Sequence, residues 1–82
     1  MSDEPTVLRA RDLELDRLTR KVTRAGQVID LMPREFALLE LLLRRRGRVQ
    51  TRTMLLEAVW DIHFDPQTNV VETHISLLRN KI

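Results

Sequence analysis

Asn69-Val70-Val71-Glu72-Thr73-His74-Ile75-Ser76-Leu77-Leu78-Arg79-Asn80-Lys81-Ile82 is the stretch on which the reading of this 82-residue sequence turns. At about 100° per residue, Val71, Ile75, Leu78 and Ile82 fall on one narrow stripe, the pattern of a helix with a single apolar ridge. The far side then carries Asn69, Thr73, Ser76, Leu77 and Asn80, with Glu72 and Arg79 on one flank and His74 and Lys81 on the other. Amides and hydroxyls dominate that side, and carboxylates are few. A helix so faced fits a DNA major groove, roughly 12 Å wide, and meets base edges without repelling phosphate. Periodicity alone leaves a plainer reading open, a solvated face with no ligand. The helix is expected over 68–82, started by Thr68 or Asn69, and Asn69 and Glu72 have capping-box spacing.

Two further helices precede it. Thr51 is placed to cap one over 52–60, whose apolar face is Met54, Leu55, Leu56, Val59 and Trp60; Asp61 to Pro66 breaks the pattern as a loop. Pro33, Glu35 and Gly47 bracket another over 33–46, with Pro at the first helical position and Gly past the last periodic residue. Phe36, Leu39, Leu42 and Leu43 recur at helical spacing, widened by Leu38 and Leu41, which marks the central core helix. Met32 stands where a Ser, Thr or Asp cap is usual, so that end is expected to lack a cap worth about 1 kcal/mol. Val49-Gln50 reads as a short extended piece.

Val7 to Leu31 has a different period. Leu13-Glu14-Leu15-Asp16 alternates, and Ala25-Gly26 separates Lys21–Arg24 from Gln27–Leu31 as a hairpin turn would. Up to four short antiparallel strands are expected over 7–31. The fold class is α+β: strands first, three helices after, with 1–82 as one small domain. A domain of this size buries only about 60–65% of the surface its unfolded chain exposes.

The totals narrow the function. Cysteine is absent, which excludes disulfides and thiolate metal sites and suits a reducing, cytoplasmic setting. No stretch has the roughly 18–20 apolar residues of a membrane span, and the acidic opening MSDEPTVLRA is no signal peptide. Net charge is only +2, from 14 basic and 12 acidic residues. Its placement says more: Arg34, Arg44, Arg45, Arg46, Arg48 and Arg52 face only Glu35, Glu40 and Glu57 across 33–60. Arginine makes forked contacts to phosphate, while Arg44–Arg46 also complements the negative end of a helix dipole. An enzyme has little support, with no Cys or Tyr, two distant His and only Gly26 and Gly47 to build a phosphate loop. Asp61, His63 and Asp65 have the chemistry of metal ligands, yet short polar loops carry such residues by chance far more often. No cofactor and no metal site are expected.

Leu31-Met32-Pro33-Arg34-Glu35-Phe36-Ala37-Leu38-Leu39, Thr51 to Trp60 and Asn69 to Ser76 together resemble the OmpR/PhoB-type winged-helix effector domain of two-component response regulators. Phe64 to Val71 is similar to the heavy-metal-response branch. The resemblance runs from about Val7 to Ile82. It implies a four-stranded N-terminal sheet, three helices and a C-terminal hairpin, the wing, with the third helix as recognition helix. By position, Asn69, Thr73, His74, Ser76, Leu77 and Arg79 take DNA-side or phosphate-side places, and Arg52 belongs to the same basic surface. Trp60 matches a Trp that packs near the DNA backbone. Loop 61–67 matches a segment that touches RNA polymerase.

Three departures from that pattern stand out. Leu77 replaces a usual Arg and Asn80 an often basic residue, a loss of about 1–3 kcal/mol of DNA binding if the Arg paired with guanine or phosphate. The 82 residues contain no wing and no receiver domain with its phosphoacceptor Asp. The strand edge near Val49-Gln50 is then uncovered, so homodimerisation or marginal stability is expected. The expected function is sequence-specific binding of double-stranded DNA. The alternative is a truncated interaction or dimerisation module with weak or no DNA binding.

Overall fold

The computed structural model describes residues 6–63 and 66–82. Four strands come first: β1 (Val7–Ala10), β2 (Leu13–Asp16), β3 (Lys21–Arg24) and β4 (Gln27–Ile29). They form an antiparallel meander in that order. Register explains why one face is apolar. Leu8 pairs with Leu15, Leu15 with Val22 and Val22 with Ile29, so one row of aliphatic side chains crosses the whole sheet. The period-two alternation sends their neighbours outward, where Arg9 and Glu14 pair at 3.0 Å.

Each connection has its own turn chemistry. Ala25 (φ 51°) and Gly26 (φ 83°) both take positive φ between the paired Arg24 and Gln27, the geometry of a two-residue type I′ hairpin. Between β2 and β3, Asp16 Oδ1 accepts the backbone N–H groups of Leu18 (2.9 Å) and Thr19 (3.2 Å), and Arg20 closes the loop at φ 60°.

Three helices follow: α1 (Pro33–Arg44), α2 (Arg52–Trp60) and α3 (Val70–Lys81). Leu38, Leu39 and Leu41 of α1 meet Leu15 and Val22 of the sheet, Leu55, Leu56 and Val59 of α2, and Val71 and Leu78 of α3 in one core. Each such fully buried side chain contributes roughly 1.5–3 kcal/mol through removal from water. Phe36 is buried too, with the Arg20 guanidinium 4.2 Å above its ring centroid.

The structure departs from sequence expectation at element ends. The sheet stops at Ile29, short of Leu31, and Met32 is extended at ψ 157°, as the residue before Pro33 prefers. Met32 offers no side-chain cap, as expected, but the turn is not left bare: Glu35 Oε1 accepts the Met32 N–H at 2.7 Å. Helix α1 ends at Arg44 rather than at 46. Arg45–Gly47 form a turn instead, with Arg48 N–H donating to Arg45 C=O at 3.1 Å and Gly47 at φ 86°. Val49-Gln50 is not a strand among the described residues, since no neighbouring strand supplies a ladder, and Val49 is 84% exposed. Thr51 caps α2 as its sequence position implies, accepting from Met54 N–H at 3.2 Å. Asp61 ends that helix in the left-handed region, and Ile62 N–H closes back onto Leu56 C=O at 3.1 Å.

Candidate nucleic-acid interface

Helix α3 is fixed by its apolar ridge. Val71 and Leu78 are buried, and Ile75 and Ile82 are half-buried against the same core. The opposite side is open: Asn69, Thr73, Ser76, Leu77, Arg79 and Asn80 are all exposed. The inward and outward sets read from the sequence are the sets observed. The Arg79 side chain makes no ion pair or hydrogen bond among the described residues, so its guanidinium is available at the flank.

The two ends of α3 are held by long-range polar contacts. At the C-terminal end, Lys81 Nζ donates to Glu35 Oε1 at 2.7 Å. Glu35 is only 1% exposed. Burial raises its pKa, but the bonds from Lys81 and from Met32 N–H, with the fields of Lys81 and His74, outweigh burial and hold it below the usual 4.5. At the N-terminal end, Asn69 makes no side-chain cap, contrary to its capping-box spacing. Glu72 is turned instead to Arg52 of α2, with Arg52 Nε 2.7 Å from Glu72 Oε1, and the same guanidinium donates to Thr68 C=O. Arg52 thus spans α2 and the start of α3 rather than standing out alone.

His74 is half-buried. Its Nδ1 lies 2.8 Å from Val70 C=O, an acceptor only, so Nδ1 carries the proton and Nε2 faces away. The ring meets Trp60 edge to face, with centroids 5.0 Å apart and planes at 81°. Trp60 and His74 therefore form one packed corner between the end of α2 and the start of α3. Arg34 of α1 adds a further tie by donating to Val59 C=O.

Loop 61–67 is described only in part, since Phe64 and Asp65 lie outside the described residues. Asp61 Oδ1 and His63 Nε2 are 3.2 Å apart and both side chains are exposed. The third member of the metal triad weighed from sequence, Asp65, falls outside as well. Among the described residues no group of three or more His, Asp or Glu side chains gathers to hold a metal, and no helix is long and apolar enough to cross a membrane.

Sequence reasoning missed the Glu35–Lys81 tie. The signal for half of it was present, because Glu35 sits three residues after Met32, the reciprocal position of a capping box. Nothing local marks Lys81, 46 residues away, as its partner.

Residues 26–82 match the family described as "Transcriptional regulatory protein, C terminal". The chain belongs to this family. Among its relatives is the transcriptional activator protein IrlR of Burkholderia pseudomallei, 52% identical over 79 residues, which make up 96% of this chain and 34% of IrlR. The chain therefore spans about one third of the length of the curated relatives it matches. The DNA-binding domain of CpxR from E. coli superposes with a TM-score of 0.87 at 32% identity, covering 96% of this chain and 76% of that one. The Klebsiella pneumoniae RstA DNA-binding domain, solved in complex with the RstA box, gives 0.87 at 26% identity over 94% of this chain and 76% of that one. As a transcriptional regulatory C-terminal domain, the chain has the winged-helix OmpR/PhoB-type fold of these neighbours, a four-stranded sheet ahead of three helices.

Proposed function

We propose that this chain binds double-stranded DNA sequence-specifically, with α3 in the major groove, as the effector part of a bacterial transcriptional response regulator. One observation carries the reading. Helix α3 is anchored by Val71 and Leu78 while Asn69, Thr73, Ser76, Leu77 and Asn80 stand exposed with no carboxylate among them. Arg79 supplies a phosphate contact at the flank. His74, Trp60 and Arg52 work one step back, setting the angle at which α3 enters. The solved RstA complex supports the same use of the fold. The site of action is the cytoplasm, where the DNA is.

Competition binding to duplex DNA at two salt concentrations tests the proposal. Specific binding survives excess competitor and weakens with salt in proportion to the phosphates neutralised. Arg79→Ala lowers the slope of log K against log salt by about one. Absence of binding below the high-micromolar range sinks it and favours an interaction module instead.

Two partners complete the proposal. Loop 61–67, with Asp61 and His63 exposed, is assigned as the contact for RNA polymerase. Self-association is favoured by the exposure of Val49 and of Val28 on the edge strand β4. A concentration-independent monomer in sedimentation removes the dimer without touching the DNA reading.

A further inference from the structure

Leu77 has no place in the core and no charge to offer phosphate. It is 45% exposed, and among the described residues it is the only large hydrophobic of α3 left so open. Thr73 precedes it by one turn and Asn80 follows by nearly one, and at about 100° per residue the three share an arc of about 60°. Thr73 and Asn80 are about 10 Å apart along the axis, some three base-pair steps. Among the described residues, no side-chain hydrogen bond engages Thr73 or Asn80. The nearest cations are elsewhere: Lys81 is held at 2.7 Å by Glu35, and Arg79 lies about 120° round the helix from Thr73.

That arc has a definite chemical preference. Thymine alone presents a methyl group in the major groove, and an apolar side chain is its natural contact. Adenine presents an acceptor, N7, beside a donor, the N6 amine, and a carboxamide matches both at once. Guanine is read best by Arg or Lys and the cytosine amine by Asp or Glu, and the arc holds none of these. Accepting that α3 enters the major groove, we propose that Leu77 and Asn80 make this chain a reader of A·T pairs. Leu77 packs on a thymine 5-methyl, Asn80 takes a two-pronged bond to adenine, and Thr73 tolerates either base. The operator half-site therefore holds A·T pairs at the two neighbouring positions under Leu77 and Asn80.

Selection of the chain against a random duplex library, followed by replacement of each selected thymine with deoxyuridine, tests this. Deoxyuridine keeps the pairing and O4 and removes only the methyl. The wild-type chain is expected to select A·T at those two positions and to lose about fourfold in affinity when the contacted methyl is deleted, the effect of one buried methylene-sized group. Leu77→Ala is expected to be indifferent to that replacement. Leu77→Arg is expected to select guanine at the same position. Leu77 is exposed, so both variants keep the core, and circular dichroism checks that they do. A selected motif with G·C pairs at the two positions under Leu77 and Asn80, or full affinity for the deoxyuridine duplex, overturns the A·T assignment while leaving DNA binding intact. Failure to select any sequence overturns the DNA reading itself and this inference with it.

Discussion

Lys81 Nζ lies 2.7 Å from Glu35 Oε1, joining the last turn of α3 to the first turn of α1. The same carboxylate satisfies Met32 N–H, so one buried group closes a helix start and locates a second helix. Removing a partner from such a group leaves a buried charge under-compensated, a far larger loss than that of a surface pair.

Lys81→Met is therefore expected to cost roughly 1–3 kcal/mol at pH 7, less than a fully buried pair because Lys81 itself is partly exposed. The pH dependence follows from the direction of the Glu35 shift. Its folded pKa lies below 4.5, so its stabilising contribution is present above that value and is lost as pH falls through the lower, folded pKa. Without Lys81, its hydrogen bond and its field are lost while burial remains, and the carboxyl pKa rises. The stability gap between wild type and variant should widen as pH climbs from 4 to 7, measured by urea unfolding. A gap independent of pH contradicts the assignment.

Arg52 and Glu72 are a more exposed pair, and a double-mutant cycle on unfolding should give a coupling below about 1 kcal/mol. Arg52→Ala is expected to weaken DNA binding through the position of α3, leaving the salt slope unchanged. A slope reduced by about one would instead make Arg52 a direct phosphate contact.

The edge-to-face contact of Trp60 with His74 gives a third expectation. His74→Ala should destabilise the chain by about 0.5–1.5 kcal/mol beyond the area lost, and His74→Phe should restore most of it. Trp60 fluorescence during urea unfolding reports both. Equal losses in the two variants would assign the effect to the Nδ1 bond to Val70 rather than to the ring contact.

Ala25 holds φ 51° at the first central position of its hairpin, where a Cβ is unfavourable and Asn is preferred. Ala25→Asn is expected to raise stability by about 0.5–1 kcal/mol, visible as an increase of several degrees in Tm. No increase would mean that the turn is not a type I′ turn in solution.

The type of each main element and the face it buries were legible in the sequence, though its ends were not. Leu13-Glu14-Leu15 alternates because a strand shows its two faces in turn, and Val71, Ile75 and Leu78 repeat because a helix returns to one face every 3.6 residues. The two sides of α3 followed from that period alone, and so did the cap at Thr51, whose acceptor is three residues from its donor. The partners of Glu35, Glu72 and His74 did not. Asn69 and Glu72 have the spacing of a reciprocal cap, yet Glu72 turns to Arg52 because α2 brings a guanidinium to 2.7 Å. Likewise the lysine that holds Glu35 comes from 46 residues away. Periodicity acts over one turn of chain, whereas a charge chooses its partner by distance and by the loss of water around it. Only the packed tertiary structure sets those.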